Sequence, residues 1–426
     1  MSRLFLLFAV ACTNPTKTLG DLDEDTVVLA DEPMLAHLSE ALGDPGATVL
    51  DLFDEDLDFA SAPDPSDVFA ATHDAHAALP DGSGRTLSVL TYNAGLLSRR
   101  YLVFKVAVPN IDARRERVAD EVFGAGHDIV FLQEVWEMDD ARMLAEAGEA
   151  AGYRVWYGDK RKFHRETGLV LAVREALIGG DDTQEGEQYD AQWRSENFPG
   201  PNLKRGFLHW SFPLAGSDVD VHLFDTHLTP FYTEWRTRNL QVRQLGLAIA
   251  EVPDDALVLV GGDMNAGWHY PRDLWVDAEG EEHPGWFRNT TMPALLAYYG
   301  GLEDLANAAE LAMDPVRGAD IPEGADSGWL DTPYGDASLC DAQDTYTATD
   351  CNHLYLTSYA ATEFPARMDL LWVRDGTGRV RARSRELAFV QPLDFSGTDA
   401  KLDEALPDTF ELSDHYGQQV TLEILD

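Results

Sequence analysis

The run from Ala256 to Gly267 constrains the fold more than any other stretch of the chain. Leu257, Val258, Leu259 and Val260 follow Ala256 without a polar interruption. A short, continuous, largely branched run of this kind reads as a strand covered on both faces, so other layers must pack on either side of it. Gly261 and Gly262 then let the backbone turn at its carboxyl end without a Cβ clash. A carboxylate, Asp263, and an amide, Asn265, come next. Residues two apart at a strand end can project to one side and meet one ligand. Gly, Asp and Asn are also ordinary turn formers, so the motif alone is compatible with a plain strand and turn.

The same arrangement recurs along the chain. Leu87–Tyr92, Asp128–Gln133, Tyr153–Trp156, Thr167–Val173, Gly206–Phe212, Val219–Thr226, Met368–Val373, Arg379–Val390 and Gln418–Leu422 read as further strands. Helical patterns cover Ile111–Phe123, Ala141–Ala151, Thr233–Ala250 and Met292–Tyr299. The segment from Gly179 to Leu203 reads as a polar insertion without a period. The segment from Gly267 to Phe364 is largely irregular. Strand ends present Asn93, Glu134, His227, Asp263, Asn265, Asp369, Asp414 and His415, which suggests one polar site at a common rim. Carboxylates gathered there without a counter-charge would be costly to bury, so a divalent cation is physically sensible. Hard oxygen donors favour Mg²⁺, or another hard cation such as Mn²⁺ or Ca²⁺, over softer metals. Simpler roles exist for single residues. Asn93 can cap a turn, Asp369 can pair with Arg367, and His209 and His222 lie inside alternating strands as structural residues.

The chain has 426 residues, enough for one large or two ordinary domains. Its 32 Lys and Arg against 75 Asp and Glu leave a net charge of −43. Such a surface repels polyanions and disfavours tight nonspecific nucleic-acid binding, yet leaves room for a small metal-shielded phosphate site. It equally fits a solubility adaptation. Residues 1–11 carry one basic residue, an apolar run and small residues before Cys12, which resembles a bacterial lipoprotein signal. Export is therefore expected, with Cys12 carrying a lipid that anchors the protein at a membrane. Residues 12–84 are an acidic, proline-punctuated spacer, without Lys or Arg from Thr18 to Gly84. Within it Asp21, Asp23, Asp25 and Glu32 match calcium-loop positions. Thr26 stands where such a loop needs Gly, and no flanking helix pair is visible. Cys340 and Cys351 remain as a pair that an oxidising compartment would close into a disulfide. The catalytic domain is then 85–426.

The segments Thr-Tyr-Asn93, Leu-Gln-Glu134, Asp-Thr-His227-Leu, Gly-Gly-Asp263-Met-Asn265, Arg-Met-Asp369 and Ser-Asp414-His415 follow one another in a set order. In that order the chain resembles the endonuclease/exonuclease/phosphatase superfamily. The resemblance implies an α/β fold of two packed mixed β-sheets flanked by helices, a four-layer sandwich with the site at one edge. It implies that Glu134 is a principal Mg²⁺ ligand, assisted by Asn93 and Asp414. Asp263 would position or activate water, Asn265 would hold a phosphate oxygen, and His227 would contact the phosphate as charge develops. His415 would be the general base or proton shuttle, oriented by Asp369. Lys204-Arg-Gly206, His227-Leu and Arg243-Gln-Leu resemble the neutral sphingomyelinase branch. That branch would make the protein a phosphodiesterase of phospholipid head groups; separately, a monomer is expected. The alternatives are a secreted endonuclease, an inositol or other phosphomonoesterase, and a catalytically idle binding module. An apolar membrane-docking hairpin has no clear equivalent here; Tyr298-Tyr299 and Leu354-Tyr-Leu356 are the candidate tips. Phe231, Tyr232 and Trp235 follow His227 closely enough to meet a quaternary ammonium, or to pack the next helix.

Overall fold

The computed structural model describes residues 84–101, 104–158, 161–192, 204–230, 235–265, 275–276, 282–283, 303–304, 352, 354, 368–403 and 406–425. The leader and Cys12, nearly all of the acidic spacer, Cys340, Cys351, Arg367, Phe231, Tyr232 and the segment Met292–Tyr299 lie outside these residues. Among the described residues no helix is long and apolar enough to cross a membrane.

The chain opens with β1 (Arg85–Asn93), α1 (Ile111–Gly124), β2 (Ile129–Gln133), α2 (Met138–Ala150), β3 (Tyr153–Trp156), α3 (Arg161–Thr167) and β4 (Val170–Arg174). It continues through β5 (Thr183–Gln188), β6 (Gly206–Pro213), β7 (Asp220–His227), α4 (Trp235–Ala250), β8 (Leu257–Asp263) and β9 (Glu303–Asp304). It closes with β10 (Asp369–Asp375), β11 (Val380–Ala388) and β12 (Gly417–Ile424). Two six-stranded sheets result, in the orders β11-β12-β1-β2-β4-β3 and β9-β10-β8-β7-β6-β5. Each has one parallel pair at its centre, β1 with β2 and β7 with β8, and antiparallel neighbours elsewhere. A parallel pair needs a crossover connection. Helix α1 lies in the first crossover and α4 in the second.

Odd-numbered residues of the central strands face the other sheet. Leu87, Val89, Ile129, Phe131, Val221, Leu223, Leu257, Leu259, Leu371 and Val373 share one buried cluster between the sheets. Leu90, Tyr92, Val130 and Leu132 face the opposite way, against Val118 and Val122 of α1 and Leu144 of α2. On the far side Arg374 of β10 donates to the carbonyls of Ile249 and Val252 at 3.1 and 3.0 Å, which ties the second sheet to the end of α4. The layers therefore run helix, sheet, sheet, helix, as the resemblance implied.

Three expectations change. The polar segment from Gly179 to Leu203 contains β5, an exposed edge strand paired with β6, so it is not wholly an insertion. Gly261 and Gly262 do not turn the chain; they continue β8 in register with Asp225 and Thr226. Leu354 is fully buried against a cluster that includes Val108, Phe395 and Phe410, which rules it out as an exposed docking tip.

The two glycines are needed for close approach. A Cβ on Gly261 would stand 2.4 Å from the Phe131 ring of the facing sheet, and one on Gly262 would stand 2.2 Å from the Thr226 carbonyl oxygen. Gly261→Ala is expected to destabilise the protein by about 1–3 kcal/mol through overpacking. Denaturant unfolding checks this, and an unchanged midpoint would mean that Phe131 moves aside freely.

Candidate active site

Parallel pairing at both sheet centres brings four strand carboxyl ends to one rim. Asn93 is level with Gln133, one residue before Glu134, and Asp263 is level with His227. Antiparallel β10 starts at the same rim, with Asp369 opposite Asp263. Asp414 and His415 lie in the loop that enters β12. Every one of the eight residues singled out above is described, and the contacts below join most of them.

Asp263 is the junction. Its Oδ2 accepts from Asn93 Nδ2 at 2.9 Å and lies 3.3 Å from His227 Nε2, while its Oδ1 accepts the Asn265 backbone N–H at 2.9 Å. Burial pushes its carboxyl up to about 6, Asp369 adding to the rise. Asn93 also performs the capping expected of it, since its Oδ1 accepts the Gly95 N–H at 3.0 Å. Asn265 donates its side-chain amide to the Leu228 carbonyl at 3.0 Å, pinning the loop after β7.

Glu134 follows β2 at φ 60, and Asn265 follows β8 at φ 48. Non-glycine residues rarely occupy this left-handed region, and such strain is concentrated at functional sites. Burial pushes the Glu134 carboxyl up to about 7, with Asp414 and Asp263 adding repulsion and Arg205 and His415 opposing it. Gly95, at φ +56, leaves room for Asp414, since a Cβ there would stand 2.5 Å from Asp414 Oδ1.

The two histidines are set oppositely. His415 Nδ1 is 2.8 Å from Asp369 Oδ2. Burial alone would lower its pKa, but Asp369, then Asp263 and Asp414, hold it well above the usual histidine range. His227 is held well below that range by burial, and next by Arg205. Arg205 NH1 lies 2.8 Å from His227 Nδ1. A guanidinium can only donate, so Nδ1 is the acceptor and Nε2 carries the proton. That proton faces Asp263.

Two arginines complete the site without having been among the expected residues. Arg205 reaches His227 with its guanidinium 5.4 Å from the Trp136 ring centre, in cation–π range. In the sequence it stands in the Lys204-Arg-Gly206 segment. Arg114 of α1 is fully buried and donates to the carbonyls of Ala94, Gly95 and Leu412, joining the loops that carry Asn93 and Asp414. Its signal was present in the sequence: a charged residue between Ile111 and Val118 on the buried stripe of an amphipathic helix. Helix α4 also reaches the site. There Arg238 and Gln241 bond Thr229, next to the His227 loop. His209 and His222 stack on each other away from the rim, at 5.2 Å between ring centres.

Among the described residues Asp263, Asp369 and His415 form a group whose candidate ligand atoms lie within 4.8 Å of one another. These are not the residues expected to bind metal. His415 and Asp369 are already joined by a hydrogen bond, which suits proton handling better than coordination. Glu134 and Asp414 are a further pair of hard oxygen donors, and after burial it is Asp414 that most raises the Glu134 carboxyl.

A two-sheet sandwich that gathers carboxylates and imidazoles at one rim can bind a hard cation and move protons. The model of the Endonuclease/Exonuclease/phosphatase family matches residues 90–415, and the chain belongs to that family. Similar solved structures include D. rerio TDP2 complexed with single-strand DNA product, at 18% identity, covering 80% of this chain and 99% of that one with a TM-score of 0.49. They also include a Bacteroides thetaiotaomicron endonuclease/exonuclease/phosphatase family protein at 15% identity, covering 81% and 100% with a TM-score of 0.47. SmcL is a third, at 15% identity, covering 79% and 99% with a TM-score of 0.47. Comparison with curated proteins gives no match.

Arg205→Gln is expected to lower turnover roughly tenfold or more, because His227 loses the donor that fixes its tautomer. Thermal melting and the ¹⁵N NMR shifts of the His227 ring check this. Unaltered shifts with full activity would remove the role.

Proposed function

We propose that the chain is an exported, divalent-metal-dependent phosphodiesterase that releases the head group of a choline-bearing phospholipid. The observation that carries the chemistry is the convergence of Asn93, His227 and Asn265 on Asp263 at the rim that also holds the His415–Asp369 pair. Glu134, with Asn93 and Asp414, would hold Mg²⁺. The ion would supply positive charge against the charge that develops on phosphate oxygens during attack by water.

The protein's own groups would do the rest. His227 would donate its Nε2 proton to a phosphate oxygen, and Asn265 would present its remaining amide hydrogen. Asp263, with a carboxyl near 6, has a basicity suited to taking a proton from water. His415 would carry a proton between water and the leaving oxygen, its ring held by Asp369 through Nδ1. Hydrolysis then adds water across the P–O bond, with one proton taken up by the departing alkoxide.

The substrate class rests on charge and on the short sphingomyelinase-like segments. A nucleic acid lays many phosphates along a surface carrying −43 overall, whereas a zwitterionic head group presents one phosphate and brings its own cation. The leader and Cys12 would place the enzyme outside the cell, at a membrane.

One panel tests the proposal: phosphorylcholine release from mixed micelles, plasmid nicking and inositol-phosphate hydrolysis, each with Mg²⁺ and with chelator. Head-group release is expected to be fastest and to stop in chelator. Glu134→Ala should abolish it, and His227→Ala or His415→Ala should cost roughly a hundredfold or more in a folded protein. Nicking without head-group release would replace the lipid substrate by a nucleic acid. Full activity of a folded Glu134→Ala protein would overturn the metal assignment.

A further inference from the structure

Directly beneath the rim lies a second polar layer that the proposed chemistry does not use. Thr91, Gln133 and Asp225 occupy inward positions of β1, β2 and β7, two residues below Asn93, one before Glu134 and two below His227. All three are fully buried between the sheets. Gln133 Nε2 donates to Asp225 Oδ1 at 2.7 Å, across the interface from the first sheet to the second. It also lies 3.4 Å from Thr91 Oγ1. Two oxygens of the pair are left over: Gln133 Oε1 and Asp225 Oδ2 are buried and neither makes a hydrogen bond among the described residues, while the Val170 N–H acts on the Asp225 carboxyl from nearby. Both are acceptors as long as Asp225 is ionised. A buried acceptor without a donor costs about 1–3 kcal/mol, and a buried charge without a partner costs more.

We propose that Asp225 is a neutral carboxylic acid whose Oδ2–H donates to Gln133 Oε1, closing a reciprocal acid–amide pair that fixes the spacing between the strands carrying Glu134 and His227. One proton then satisfies both left-over oxygens and removes a buried negative charge. No cation is needed, and among the described residues no charged side chain shifts Asp225, which Gly261 faces in the parallel register. Tyr189 is the titratable neighbour that senses Asp225. Its hydroxyl is engaged with Thr226 Oγ1 at 2.7 Å and is pushed up by burial, so it stays neutral. Burial also holds the Asp225 carboxyl well above the usual carboxylate range, against the lowering effect of the Gln133 and Val170 N–H groups. Asp225 touches no reacting atom in this arrangement. It is a positioning residue that acts through Gln133 on the strand end leading to Glu134, and through its own strand on His227.

The acid–amide pair separates three substitutions. Asp225→Asn puts an N–H where the acid has its O–H, so both hydrogen bonds survive without a titrating proton. Asp225→Ala removes both. Gln133→Glu makes an acid–acid pair that needs two protons to close. A carboxyl whose folded pKa is raised contributes stability that is fully present below its unfolded pKa and is lost as pH rises toward the folded value. Asp225→Asn is therefore expected to melt at the same temperature as the parent near pH 4 and progressively higher toward pH 8. At neutral pH the parent should show a protonated-carboxyl C=O band in the infrared that Asp225→Asn removes. Asp225→Ala should lower kcat by roughly 10–100-fold, the scale of lost positioning partners, and Asp225→Asn should restore it. The melting and infrared readouts need no substrate, so they stand apart from the proposed activity. A parent lacking the infrared band, or an Asp225→Asn protein that melts lower than the parent at pH 8, would overturn the neutral acid. Equal kcat in Asp225→Ala and the parent would overturn its positioning role.

Discussion

Carboxylates pressed together at a dry rim are the constraint on which the rest of the structure depends. Asp263, Asp369 and Asp414 are buried, and Glu134 is half-buried beside them. In such surroundings each carboxylate raises its neighbour's cost of ionisation. The fold answers with cations placed by different elements. Arg114 comes from α1 below the rim, Arg205 from the segment just before β6, and His415 from the loop before β12. Each acts on Glu134 or Asp414 as well as on its hydrogen-bond partner. The left-handed backbone at Glu134 and Asn265 shows the same demand in another form, because both residues sit where the chain must leave a strand and still aim a side chain inward.

The strand ends were legible because their information is local. A buried parallel strand is a continuous apolar run, and the polar residue that ends it stands out against that run. β5 was missed for the opposite reason. Its residues Thr183–Gln188 include no large apolar side chain, since it is a solvated edge whose pairing comes entirely from backbone bonds to β6. The glycines of β8 were placed correctly but explained wrongly. Turn formation is a local property, whereas the close approach of Phe131 comes from another sheet. Arg114 shows the limit most clearly, since its contact with Leu412 spans 298 residues. A charge on an apolar helix stripe was visible; the loop that it holds was not.

The central layers pass from apolar, through a buried acid–amide pair, to the site residues at the rim. Phe131 and Leu223 fill the first, Gln133 and Asp225 the second, and Glu134, His227 and Asp263 the third. This gradation has a physical use. Charged groups set directly on an aliphatic core would face desolvation with no nearby dipoles to answer it, whereas an amide and a carboxyl interpose orientable polarity. It also ties the sheets together where the site spans them. β1 and β2 carry Asn93 and Glu134, and β7 and β8 carry His227 and Asp263, so any slip between the sheets would separate one half of the site from the other.

The two histidines show how partner choice, rather than residue type, divides the work. Each imidazole has its Nδ1 occupied from behind, one by a carboxylate and the other by a guanidinium. Asp369 accepts, so His415 presents Nδ1–H to it, and the surrounding carboxylates favour its protonated form. Arg205 donates, so His227 must accept at Nδ1 and stays neutral with its proton on Nε2. Exchanging the two partners would leave the residue list at the rim unchanged and reverse both protonation preferences. Burial magnifies the difference, because a low-dielectric setting strengthens whichever interaction is already present. The motif residues therefore mark where the site is, while Arg205 and Asp369 decide which form each imidazole takes within it.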